Sequence, residues 1–336
     1  MDGDVAPAGL VDRLRAFLAA HLDGVQPRIV DLGRIGVGRS RENWVFDLVT
    51  APGATPEREP LILRRDPDGG LVETDRGAEF ALLSALERSD LPAPVARWLD
   101  ADGAWLGRPS LVMRRAPGDC DYRVLNGERP LAERAVLAGR FCDLLARVHL
   151  TDWRGLGIGE LLPDPGAGAA LAELRGWEEI LRRDQLEEYP ELELAIDRLR
   201  ETAPASARTV LVHADFKPGN ILLEGDRVTA LLDWELAHLG DPLEDLGWVT
   251  QPLRAGEHTI AGTWESADLL RHYERVTGFE VDRTSLAWWV TFSTFKTAVM
   301  QVSGLRSFLE GRSDEPYRPT RGVLRTLLAA VTERSG

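Results

Sequence analysis

A chain of 336 residues, 44% hydrophobic and 28% charged, has the make-up of a globular protein and enough length for two lobes or domains. Its formal net charge of −14, with no local basic patch, argues against nucleic acid as a partner. Cys120 and Cys142 are too few for a disulfide framework or a zinc site, and no apolar run reaches the roughly 18 residues that a membrane span needs.

The opening Met1-Asp2-Gly3-Asp4-Val5 has no basic start and no apolar core, so no signal peptide is expected. With both thiols read as reduced packing residues, the expectation is a cytoplasmic protein without a membrane partner. In chain order, residues 10–22 predict a short amphipathic helix, and strand-like runs follow at 28–35 and 42–50. The turn Gly36-Val37-Gly38-Arg39-Ser40 separates those runs; such a loop can fold over phosphates, because glycine lets the backbone approach closely. No helix starts after it, so it is not a dinucleotide fingerprint. A third strand, Leu61-Ile62-Leu63-Arg64, comes after a Pro-rich loop. A helix is predicted over 74–88 with Phe80 and Leu83 on one side, and strands over 95–99 and 110–114 complete a small sheet.

From about residue 118 the pattern turns helical: Phe141, Leu144, Leu145 and Val148 form a stripe at i, i+3, i+4, i+7. Helices are predicted over 169–187, 191–202, 243–251, 265–276, 284–305 and 318–333, interrupted by short strands and a loop over 209–233.

That interruption carries the chemistry. It reads His213-Ala214-Asp215-Phe216-Lys217-Pro218-Gly219-Asn220, then Leu231-Leu232-Asp233-Trp234-Glu235; Asn220 is five residues after Asp215, and Asp233 thirteen after Asn220. Phosphoryl transfer needs positioning and charge neutralisation more than covalent help. Asp215 can take the proton of an attacking hydroxyl, and Lys217 can reach the transferring phosphate as a compact point charge. Asn220 and Asp233 can supply an amide oxygen and a carboxylate to Mg2+, a hard cation that takes oxygen ligands.

The segment resembles the catalytic loop of the protein-kinase-like superfamily. Pro218-Gly219-Asn220, Leu232-Asp233-Trp234-Glu235 in place of Asp-Phe-Gly, and Gly240-Asp241-Pro242-Leu243-Glu244-Asp245-Leu246 resemble its aminoglycoside phosphotransferase (choline kinase-like) branch. The resemblance covers about residues 28–250 and implies an α+β, bilobal fold. Its parts would be a five-stranded antiparallel N-lobe with one helix (1–113), a hinge (114–118) and a mainly helical C-lobe (119–336). It implies ATP and Mg2+ as cofactors and a small-molecule hydroxyl as acceptor.

The family has a lysine on the third strand for the α/β-phosphates; here Arg64 stands in its place, with Glu79 as its helix partner and Gly36, Gly38 and Ser40 over the phosphates. Arg65 is the competing reading, a solvated neighbour on the opposite strand face. Val112-Met113-Arg114-Arg115-Ala116-Pro117-Gly118 matches the hinge, where adenine would meet the carbonyl of Arg114 and the N–H of Ala116. His213 reads as a brace of the loop, Asp241 and Asp245 as structural residues holding its backbone, His149 as a hydrogen-bonded packing residue, and Glu235 as either near the metal or solvated.

The acceptor stays open among aminoglycosides, sugars, amino alcohols and hydroxyacyl compounds. Residues 171–201 hold ten acidic and five basic side chains, either a solvated face or a lure for a cationic substrate. The aromatic run Trp288-Trp289-Val290-Thr291-Phe292-Ser293-Thr294-Phe295-Lys296 reads as core, with some of it free to line an acceptor pocket. A protein kinase is disfavoured, because no Ala-Pro-Glu follows Asp233 and Gly240-Asp241-Pro242 leaves no room for an activation segment. The absent strand lysine keeps a nucleotide-binding pseudokinase as the alternative.

Overall fold

Alternating burial builds the first unit. The computed structural model describes residues 9–22, 26–35, 42–50, 57–66, 75–313 and 316–332, and the chain divides into two units between Pro117 and Gly118. In the first, α1 (Leu10–Ala20) precedes β1 (Arg28–Ile35), β2 (Glu42–Thr50) and β3 (Glu57–Arg65); α2 (Arg76–Leu86) is inserted before β4 (Ala96–Asp100) and β5 (Ser110–Arg114). All neighbours are antiparallel, in the order β1-β2-β3-β5-β4. Trp44, Phe46, Leu48, Leu61 and Leu63 alternate along β2 and β3 and pack against Leu10, Leu14, Phe17 and Leu18 of α1. Each such side chain contributes about 1.5–3 kcal/mol by its burial. The alternation that turns Leu61, Leu63 and Arg65 to one face turns Ile62 and Arg64 to the other. The α2 helix starts at Asp75, whose carboxylate accepts the N–H groups of Gly77 and Ala78. Its inward stripe is Glu79, Leu82, Leu83 and Leu86, with Phe80 only half-buried, a rotation of the predicted face.

The second unit begins at a constrained turn. Gly118 has φ +108°, and a Cβ there would lie 2.4 Å from the Leu223 carbonyl, so no side chain fits. Helices α3 (Leu131–Leu150), α4 (Ala169–Asp184) and α5 (Pro190–Glu201) come next. Four short strands follow: β6 (Val210–Val212), β7 (Ile221–Glu224), β8 (Arg227–Leu231) and β9 (His238–Gly240). They form two small antiparallel ribbons, β6-β9 and β7-β8. Helices α6 (Pro242–Thr250), α7 (Ala255–His258), α8 (Ser266–Thr277), α9 (Arg283–Leu309) and α10 (Arg321–Thr332) complete it. The four-residue α7 carries no periodic signal and was not expected; α9 runs four residues beyond its predicted end.

The core of this unit is α9, 27 residues long and buried along most of its circumference through Leu286, Trp289, Phe292, Phe295, Ala298, Val299 and Val302. It packs on α6 at Gly247, where a Cβ would meet the Trp289 backbone at 2.6 Å. Gly247→Ala is therefore expected to destabilise the protein by about 1–3 kcal/mol through overpacking. Gly139→Ala on α3, where the new methyl meets only His272 at 3.8 Å, is expected to stabilise it by about 0.5–1 kcal/mol. Denaturant midpoints of the two variants check both signs.

Candidate active site

Asp215 sits after β6, where the chain leaves the ribbon. Its carboxylate Oδ2 accepts from Lys217 Nζ at 2.6 Å and from Asn220 Nδ2 at 3.1 Å, and Asn220 Nδ2 also donates to the Asp215 carbonyl at 3.0 Å. Pro218–Asn220 is a single 3-10 turn, which returns Asn220 beneath Asp215. The Asn220 carbonyl accepts the Leu232 N–H at 2.7 Å, so the residue before Asp233 is tied to the same turn. Asp233 itself holds a left-handed φ of 68°, unusual for a side-chain-bearing residue, and opens the turn Trp234–Leu236. Asp215, Lys217, Asn220 and the strand end leading to Asp233 thus come together.

Two buried groups brace this segment. Asp245 on α6 accepts the N–H of His213 and of Ala214, each at 2.8 Å, and the ring of His149 at 3.1 Å. Tyr273 Oη reaches the other His149 nitrogen at 2.7 Å. Burial pushes the Asp245 carboxyl up, yet the His149 bond and the backbone donors bring it below the usual range, so it is held as an anion. His213 is fully buried: Nε2 donates to the Leu232 carbonyl at 2.9 Å and Nδ1 accepts the Asp215 N–H at 3.3 Å. Burial lowers its pKa, so the ring is neutral and its two nitrogens serve as one donor and one acceptor. The readings of His213 as brace, His149 as packing residue and Asp245 as backbone holder match these contacts. Asp241 acts locally, as the N-cap of α6 through the Leu243 N–H.

Sequence reasoning missed a buried charge network behind the segment. His238 Nε2 lies 3.0 Å from Glu244 and 3.4 Å from Glu173, and Lys296 Nζ is 3.2 Å from Glu244. Glu173 comes from the acidic run over 171–201, whose Glu178 and Glu193 are instead paired on the surface with Arg182 and Arg200. Burial lowers the His238 pKa, but Glu173 and Glu244 outweigh it and raise the group from 6.5 to about 10. Three ligand-type atoms lie within 4.8 Å of one another here, and Lys296 supplies a cation to Glu244 from within the chain. The cluster pairs His238 and Lys296 with Glu173 and Glu244. One signal was available: a lysine inside an otherwise aromatic helix stretch is an anomaly that asks for a partner.

In the first unit, Arg64 Nη1 donates to Glu79 at 3.2 Å. Glu79 also receives Arg76, which donates to Asp66 as well, at 2.8 Å through Nε. Arg65 departs from its expectation: it is 4% exposed, bonded to Glu42 at 2.8 Å and to the Leu106 carbonyl at 3.1 Å, because its strand face is the α1-covered face. Arg114 ends β5 with its guanidinium exposed and 3.3 Å from Glu59. Its own N–H is taken by the Val95 carbonyl, and Ala116 follows beyond the sheet pairing. Gly36, Gly38 and Ser40 lie outside the described residues. Cys142 is buried, with its thiol pushed up to about 12, whereas Cys120 is exposed and so is not the packing residue expected.

A five-stranded antiparallel sheet with one inserted helix, followed by a mainly helical unit carrying the Asp215–Asn220 turn, is the architecture of the kinase-like phosphotransferases. The family model for the phosphotransferase enzyme family (APH) matches residues 31–289, and the chain belongs to that family. Similar solved structures include a Ralstonia eutropha protein assigned as an aminoglycoside phosphotransferase, with TM-score 0.68, 20% identity and 95% of each chain covered. They also include a thermostable mutant of aminoglycoside phosphotransferase APH(4)-Ia in ternary complex with AMP-PNP and hygromycin B, with TM-score 0.60, 18% identity and 96% and 99% covered. Macrolide 2'-phosphotransferase MphH from Brachybacterium faecium superposes with TM-score 0.56 at 18% identity, with 97% and 99% covered. At these identities the likeness establishes the fold.

Curated relatives include acyl-CoA dehydrogenase family member 11 of Rattus norvegicus, 26% identical over 89% of this chain and 40% of its own length. Member 10 of Mus musculus is 28% identical over 56% of this chain and 18% of its own. The chain spans less than half the length of these relatives. Among the described residues, no helix is long and apolar enough to cross a membrane.

The His238 network has a pH signature. A folded-state pKa of about 10 against 6.5 means that its stabilisation is fully present below pH 6.5 and is lost as pH rises through 10. His238 keeps 20% side-chain exposure, so solvent moderates the effect to on the order of 2 kcal/mol. Urea unfolding at several pH values across this alkaline range is expected to show the decline in the parent protein and to lose this component in His238→Gln.

Proposed function

We propose that the protein is an ATP- and magnesium-dependent phosphotransferase that moves the γ-phosphoryl group to a hydroxyl of a small molecule. The observation that carries the reading is the Asp215 carboxylate, held between Lys217 and Asn220 on a turn that is bonded to the chain entering Asp233. Asp215 is the base that takes the hydroxyl proton, and the Asp215–Lys217 pair sets a negative oxygen beside a positive nitrogen where an alcohol meets a phosphate.

The donor set suits Mg2+. Asn220 spends its amide nitrogen on Asp215, so its remaining side-chain atom is an oxygen, and Asp233 adds a carboxylate. When bound, the ion neutralises phosphate charge and orients the nucleotide. Arg64, held by Glu79, binds phosphate with a planar two-pronged donor in place of a lysine's point charge. We assign the phosphate contact also to Gly36, Gly38 and Ser40, and the adenine contact to the backbone of Arg114 and Ala116.

Membership of the phosphotransferase family supports the reaction class. The AMP-PNP and ADP complexes of similar structures support the nucleotide. A nucleotide-binding protein without turnover is the second reading, favoured only by the arginine at position 64.

An ATP-consumption screen over hydroxylated metabolites and aminoglycosides tests the reading. Absence of both ATP binding and ATP hydrolysis with Mg2+ would overturn it, and binding without turnover would favour the second reading. Asp215→Ala is expected to lower transfer by about 10²–10⁴-fold with ATP affinity nearly unchanged, as isothermal titration would show. Arg64→Lys is expected to keep the KM for ATP within a few-fold, whereas Arg64→Met raises it about tenfold or more by losing a charge-assisted contact.

A further inference from the structure

We propose that Lys296, on α9, is a positioning residue for Asp215, a role that rests on reading Asp215 as the base. Its ammonium is 1% exposed and donates to the Ala214 carbonyl at 3.0 Å. That carbonyl belongs to the peptide immediately before Asp215. The N–H of the same peptide, carried by Asp215, goes to His213 Nδ1 at 3.3 Å. One edge of the peptide plane is therefore held by α9 and the other by the braced histidine. Rotating that plane is what would swing the Asp215 carboxylate away from Lys217 and Asn220.

The hold works against a backbone preference. Ala214 has φ 65°, in the left-handed region that non-glycine residues avoid. Asp245 Oδ1 takes its N–H at 2.8 Å and Lys296 takes its C=O, so both polar ends of this one residue are fixed from two different helices. A neutral side chain would not fill the site. Besides the carbonyl, the ammonium meets Glu244 at 3.2 Å and lies 5.1 Å and 5.3 Å from the ring centres of Trp177 and Trp248. Glu244 also meets His238, which meets Glu173, so a second carboxylate in the cluster leaves Glu244 a counter-charge for the buried ammonium.

Hydrolysis of Mg·ATP, with water as acceptor, provides the assay. In Lys296→Met, kcat is expected to fall at least tenfold with the KM for ATP within twofold. Adding Ala214→Gly, which adopts the left-handed φ without strain, is expected to recover at least threefold of that loss; a purely structural lysine would give no such rescue. If Lys296→Met does not fold, Lys296→Met/Glu244→Gln removes cation and counter-charge together and is expected to show the same kcat loss. A folded variant with kcat within twofold of the parent overturns the proposal, as does a parallel loss in kcat and KM without rescue by Ala214→Gly. Asp215→Ala separates the two levels: wild-type hydrolysis there refutes the base itself, whereas an inactive Asp215→Ala beside an unimpaired Lys296→Met refutes only the role of Lys296.

Discussion

The backbone that leads into Asp215 hangs on one carboxylate. Asp245 collects two successive backbone N–H groups and an imidazole in a site without solvent. A buried anion is tolerable only when it is fully hydrogen-bonded, and a left-handed alanine is tolerable only when its polar ends are satisfied. Each problem solves the other. The strained residue presents adjacent N–H groups to one acceptor, and the acceptor keeps its charge because those donors replace water.

The same logic extends outward through further hydrogen bonds and ion pairs. Asp245 meets His149, which meets Tyr273; Glu244 meets Lys296 and His238, which meets Glu173. Adjacent residues of α6, Glu244 and Asp245, thus face two separate networks. Networks of this kind add little net stability over an apolar core, but breaking one member is expensive because it strands a charge. Their value lies in specifying a single arrangement of the backbone beside Asp215.

Much of this was legible in the sequence wherever the signal is local. The strands of the small sheet and most helices of the larger unit follow from periodicity, and Asp215, Lys217 and Asn220 are close in the fold because they are close in the chain. Legibility failed where partners are distant. Lys296 and Ala214 are 82 positions apart, and no spacing rule links an α9 lysine to a loop carbonyl. Arg65 failed for another reason: strand alternation assigned it to a face correctly, but not that α1 and the Leu106 carbonyl close that face off from water. Phe80 marks the limit of a stripe inferred from a few apolar positions, since the inward stripe of α2 includes the charged Glu79.

Arg76 gives the smaller unit a property of its own. It is buried on α2 and clasps both Asp66, just past the end of β3, and Glu79, one turn along its own helix, while Glu79 also holds Arg64. Helix and strand are thereby joined by charges of which Arg76 and Glu79 are almost fully buried. Sliding α2 along the sheet would expose unpaired ions, so helix and sheet move as one piece.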